Sequence, residues 1–274
     1  ALSTAQVRQL TAGQLSVLST AQVRALEAAD VAALSTAHIA GLSQAQVTAL
    51  SAVQIAALET AQVRALSVEQ IEVLTTVQVA ALETVDLVAL TTVQVEALKP
   101  GQVAALKTLQ IAALSSQQVV AFDTADVAAL GTAQVIALRT DQVQALTVEQ
   151  VAALSSANIG ALETVDLAKL ATDRIAVLST EQVSALSTAQ IVALTTEQSS
   201  ALVAEQLAVL TTAQVRSLAS DDLAALQTAQ IAALGSVQIN ALSTAQVSAL
   251  SSNQIAAIEV GDLAGLASQH IRAL

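Results

Sequence analysis

Leucine falls on every eighth residue of the chain. Counted from Leu2, it recurs at 10, 18, 26 and onward to Leu274, replaced only by Phe122 and Ile258, and no insertion or deletion breaks the count. With the leucine as position one of an octad, position two is usually Ser, Thr or an acid, position five Gln, position six Val, Ile or Leu, and position eight Ala. Leu242 to Ala249 spell the phrase most plainly, as Leu-Ser-Thr-Ala-Gln-Val-Ser-Ala.

Three structures compete for this period. In one continuous helix each octad advances about 800°, so the apolar stripe slips about 80° per repeat, too far for a coiled coil to follow. In a strand, alternation sets positions one and six on opposite faces, and octads rich in Ala and Leu make poor strands. The third reading accounts for the most residues. A Ser or Thr followed three residues later by Gln is a capping box, and Ser243 with Gln246 is one instance; Leu242 and Val247 then occupy the two positions of a hydrophobic staple. Each octad is therefore expected to be its own helix of about two turns, restarting at every Leu-Ser or Leu-Thr junction. Helices that short are marginal in water, so stacking has to supply the stability. The fold class expected is all-α: a tight solenoid of about 34 short helices, with positions one and six inward.

Charge placement supports this independently. The helix dipole favours acids in the first turn and bases in the last. All acidic residues except Glu72 and Glu96 lie at positions two, four or five, and Arg8, Arg24, Arg64, Lys169, Arg216 and Arg272 sit at positions seven or eight. Pro100, the one proline, falls at a first helical position, where its fixed φ suits a helix. Asp recurs at position five at 30, 86, 126, 166, 222 and 262, which is every five or seven octads. A superhelical turn of about 2.4 octads would align these acids; the range expected is two to four.

The exceptions to the phrase mark weak points. Lys99 and Lys107 replace the capping hydroxyl, which is expected to cost about 1 kcal/mol at each cap. Gly131 and Gly235 hold cap positions, where Gly is acceptable. Ser199 is the one polar residue at position six, and its hydroxyl is expected to bond back to a carbonyl of its own helix.

Composition narrows the function. The chain is 54% hydrophobic but has one Phe and no Trp or Tyr, so its interior is aliphatic and narrow. Ser, Thr, Gln or a charge interrupts every octad, so no stretch is long and apolar enough to span a bilayer. Cysteine is absent, which removes disulfides and thiolate metal sites. A net charge of −12 argues against nucleic acid and anionic membranes as partners. The array is read as a single domain, 1–274, and as a segment of a longer array.

Candidate chemistry is sparse. His38 and His270 replace Gln at position five and are read as cap residues. The pairs Asp30/His38, Asp166/Arg174 and Asp262/His270 lie one octad apart and are expected to form ion pairs, each worth little when exposed. The acid pairs Glu27/Asp30, Glu83/Asp86, Asp123/Asp126 and Glu259/Asp262 offer two carboxylates per octad, fewer than calcium requires, and capping chemistry explains them. Ser occurs as a cap throughout, so no singular nucleophile stands out. No catalytic, cofactor-binding or metal-binding residue, no cofactor and no specific partner is assigned, and an enzyme is not expected.

The phrase, as in Leu18 to Ala25 and Leu74 to Ala81, resembles the octapeptide repeat tracts of very large secreted or surface proteins of Gram-negative bacteria, often labelled adhesin, haem-utilisation or calcium-binding repeat proteins. That resemblance implies an extracellular stalk or spacer and carries over no site residue. A partner-binding superhelix is the alternative.

Overall fold

The computed structural model describes residues 3–263 and 266–274. Among them every regular element is an α-helix: 34 short ones, one per octad, in unbroken phase with the sequence. The helices are shorter than expected. They run four to six residues, as in Thr60–Arg64 and Thr244–Ala249, nearer one turn than two.

The reason lies at the junction. The cap residue at position two is extended (Ser243, φ −76° and ψ 160°), and so is the leucine before it (Leu242, φ −57° and ψ 142°), so two of every eight residues are held out of the helix. The first turn closes when the Ser243 carbonyl accepts from the Val247 N–H at 3.0 Å. The last turn tightens to an i→i−3 bond, from the Leu250 N–H to the Val247 carbonyl at 3.2 Å. No described residue has positive φ, so these helices end without the left-handed residue that commonly follows a helix.

The chain divides into two compact units, residues 1–138 and 139–274. Within each, every helix packs against the third helix along the chain; Gln44–Ala49 lies on Thr20–Arg24 in the first, and Ser220–Ala225 on Thr196–Ala201 in the second. Each unit is thus a solenoid of short helices. Successive turns are a little over three octads apart, inside the range expected but not the 2.4 suggested by the Asp spacing.

Position six is buried almost throughout, from Val7 to Val247, and position one from Leu34 to Leu242, with Phe122 taking a leucine's place at 3% exposure. Burial of these aliphatic side chains contributes about 1.5–3 kcal/mol each. One expectation is corrected: the interior is not confined to positions one and six. The glutamines at position five are buried as well, from Gln46 to Gln254.

Candidate functional site

A buried polar group is costly unless bonded, and the position-five glutamines use both ends of the amide. Gln78 shows the arrangement. Its Oε1 accepts from the Thr75 N–H at 2.8 Å, completing the capping box of its own helix. Its Nε2 donates to the carbonyls of Val47 at 2.8 Å and Leu50 at 2.7 Å, one turn of the solenoid earlier. Gln206 repeats this in the second unit, accepting from Val203 at 2.7 Å and donating to Ile175 at 3.0 Å and Leu178 at 2.7 Å.

Each amide therefore caps one helix and ties that helix to the junction below it. Capping boxes accept Glu or Gln at this position. This chain has no Glu at position five in any octad, and a carboxylate there could serve the cap but would have no proton for the carbonyls beneath. That exclusion is the one signal in the sequence that points to an inter-turn tie.

The exceptions are variations on one bond. Asp at position five reverses it. Asp30, Asp86 and Asp222 accept from the hydroxyls of Thr4, Thr60 and Thr196, at 2.8, 2.6 and 2.8 Å, each 26 residues earlier. Three of the six position-five acids thus meet a threonine one turn back. Arg174 keeps the direction: its Nε donates to the Leu146 carbonyl at 3.2 Å, as a glutamine amide would.

The expected ion pairs between neighbouring octads do not form among the described residues. Arg174 instead pairs with Asp173, at 2.7 Å, and Asp30 is taken by Thr4. His38 acts as a cap, its Nδ1 accepting from the Ser35 N–H at 3.1 Å, and His270 accepts likewise from Ala267 at 3.3 Å. Both follow the reading given them from sequence. The Lys99 and Lys107 side chains supply no cap bond, yet Gln102 and Gln110 still accept from their N–H groups at 2.6 and 2.7 Å.

Among the described residues three buried side-chain oxygens have no hydrogen bond: Ser199 Oγ, Asp126 Oδ1 and Asp166 Oδ1. Ser199 is 1% exposed and its Oγ has no hydrogen bond; the expected back-bond is made by its neighbour Ser200, to the Glu197 carbonyl at 2.9 Å. In Asp126, Oδ2 accepts from the Asp123 N–H at 3.2 Å while Oδ1 is left alone. The residue 26 before it is Pro100, which has no hydroxyl to offer. Burial, with the Asp123 carboxylate adding to it, pushes Asp126 up to about 6 although the Asp123 hydrogen bond opposes the shift.

On the surface, Glu69, Glu149, Glu181 and Glu197 at position four are held below the usual carboxylate range by their own first-turn N–H and the cap hydroxyl. No group of three His, Asp or Glu side chains converges among the described residues. What the arrangement does chemically is hold turns together.

The chain matches the ALTTAQ repeat at residues 23–60, 54–84, 79–116, 119–156, 159–196 and 215–252. It belongs to the ALTTAQ repeat family. Comparison with curated proteins finds no match. This ALTTAQ-repeat chain is a tandem-repeat structural domain, and its repeated amide tie is the feature that most distinguishes it from a generic helical stack.

Proposed function

We propose that the array is a non-enzymatic spacer or stalk in an exported bacterial surface protein. The observation behind this is that the inter-turn tie is made the same way in each unit, so a turn can be added anywhere without altering the others. The chemistry is spent on holding turns together: the hydroxyls cap, the amides tie, and three of the acids at position five accept from threonine. Small-angle scattering of arrays with octads added or removed tests the spacer role. The maximum dimension is expected to grow linearly with octad number, and a dimension that levels off would overturn it. Protease shaving of intact cells tests surface display, with cleavage of the array expected before lysis and protection counting against export.

A second reading has one observation behind it. Val53, Val77, Val85, Val93 and Leu109, all at position four of the first unit, are 59–74% exposed. An apolar patch of this kind is a feature of partner-binding solenoids. Replacing these five with Ser should abolish capture of any partner while leaving the spacer's dimensions unchanged.

A further inference from the structure

Within the first unit, two ordinary ties flank one that is missing. Gln118 Nε2 donates to the Leu90 carbonyl at 2.9 Å and Gln134 Nε2 to the Leu106 carbonyl at 2.8 Å, each 28 residues earlier. The same offset from Asp126, midway between them, falls on Leu98. No donor reaches the Leu98 carbonyl among the described residues. Leu98 is buried and Asp126 is 0% exposed. Asp126 Oδ2 is taken by the Asp123 N–H, which leaves Oδ1 for the seam. In Asp86 and Asp222 the matching Oδ1 is met by the hydroxyls of Thr60 and Thr196, but Pro100 stands in that place here. Pro100–Ala104 packs on Thr124–Ala128, so two acceptor oxygens fall at one buried seam with no hydrogen to share. Ionising the carboxyl makes that arrangement worse.

We propose that Asp126 keeps its proton in the folded array and uses it in a hydrogen bond from Oδ1 to the Leu98 carbonyl. The seam between Pro100–Ala104 and Thr124–Ala128 is then a pH-sensitive clasp, closed in acid and loosened when the carboxyl ionises. A proton suits the site better than a metal ion. Asp126 has one free oxygen, Asp123 Oδ1 is taken by the Asp126 N–H at 2.7 Å, and no group of three His, Asp or Glu converges among the described residues. The surrounding charges do not substitute for it. The Asp123 carboxylate on the same helix favours the neutral form of Asp126. Pro100–Ala104 carries no charge, and Glu96 and Lys99 on either side of Leu98 are exposed and make no ion pair with Asp126.

Burial places this carboxyl at about 6 in the folded chain, against 3.8 when it is exposed. The folded state therefore holds the proton more tightly. The clasp is whole below about pH 4, weakens from there to about 6, and changes no further above that. This goes beyond the spacer reading and does not depend on it.

Hydrogen exchange of the intact chain from pH 4.5 to 8, corrected for the intrinsic rate, tests the clasp. Opening of residues 95–104 and 122–129 should become at least about tenfold more frequent across that range, since each unit of pKa displacement is a factor of ten. The turn that Gln78 ties to Val47 and Leu50 should not respond. Opening at Asp126 that is independent of pH overturns the proposal.

Two variants separate the clasp from general loosening. Asp126→Asn carries a donor at every pH, and Pro100→Thr supplies the hydroxyl that Asp86 has. Both should flatten the response and hold the seam as tightly at pH 8 as in acid, and a response that survives in both overturns the proposal. Carboxyl carbon NMR should show Asp126 titrating near 6, and in Pro100→Thr moving back toward the ordinary Asp range; an ordinary midpoint in the unaltered chain overturns it. Calcium chloride added at pH 7.5 should leave exchange at the seam unchanged, and closure by the metal would make this a cation site and overturn the proton clasp.

Discussion

The two units share an interior and differ at one surface position. At position four, residues 1–138 carry Ala, Val, Leu, Gly, one Gln and a single acid, Glu69; residues 139–274 carry seven acids, Asp141, Glu149, Asp173, Glu181, Glu197, Glu205 and Asp221. Positions one, five and six show no such divergence. The side chains that divide the units, such as Val77, Val85 and Glu181, project into solvent, while those the units share are buried. The architecture therefore constrains the leucine, the amide and the β-branched or leucine side chain at position six, and leaves position four open to whatever the surface requires.

If the tie is common to both units, breaking it should be equally damaging in either. Gln78→Glu in the first and Gln190→Glu in the second keep the bond to the cap and remove the donors to Val47 and Leu50, or to Ile159 and Leu162. Leaving two carbonyls unmet and burying a charge is expected to cost about 3 kcal/mol at each site. Hydrogen exchange, which resolves turn from turn where a single unfolding free energy does not, should show the loss localised to the turns on either side. Unequal losses would mean that the units are stabilised differently after all.

The reversed ties give the next largest effect. Asp222 in the second unit is met by Thr196, whereas Asp126 in the first faces Pro100. Asp126→Gln restores a donor toward the Val95 and Leu98 carbonyls and removes an orphaned oxygen, and should stabilise by about 1–2 kcal/mol at neutral pH. Asp222→Gln removes a satisfied bond as it adds one, and should gain little.

The pH dependence separates them further. A carboxyl whose folded pKa is raised to about 6 binds its proton more tightly folded than unfolded, so stability falls as pH rises from the ordinary Asp value to about 6 and is level above it. The advantage of Asp126→Gln should grow over that window, as read from urea midpoints. A pH-independent advantage would mean the carboxylate is solvated.

Much of this is legible in the amino-acid sequence. The capping box of Ser243 and Gln246 lies within four residues, and the sorting of acids and bases by the helix dipole needs only the octad count. The tie does not emerge because Gln78 and the carbonyls it meets are 28 and 31 residues apart, and nothing local to Gln78 points to them. The spacing of the Asp residues is visible but misleads: six acids suggest an aligned face, whereas three of them meet a threonine 26 residues earlier, as Asp86 meets Thr60. Ser199 stands out as misplaced in its octad, whereas the carbonyl that Ser200 takes in its stead does not.

Ser199 supplies the third test. Its hydroxyl is buried without a partner where every other octad has an aliphatic side chain, so Ser199→Val should stabilise the second unit by about 1 kcal/mol. Thermal unfolding of the variant checks it, and a loss of stability would indicate a bound water that the valine displaces.

The smallest effect belongs to position four itself, and it decides whether the difference between the units has any structural content. Glu149, Glu181 and Glu197 are held ionised by their first-turn N–H groups and by the cap hydroxyls of Thr147, Ser179 and Thr195. A depressed folded pKa contributes stability above the unfolded value near 4.3, and that contribution is lost as pH falls through the folded pKa. Replacing the three by Ala should remove a slight excess stability at neutral pH and low salt, with nothing lost at low pH or in concentrated salt, where the charge is absent or screened. In the first unit, Val77→Glu and Val93→Glu should change stability by no more than about 0.5 kcal/mol, since each side chain starts in solvent. A larger loss there would show that the valines are packed against something, and the exposed aliphatic patch would then be part of the fold and no longer a surface free for a partner.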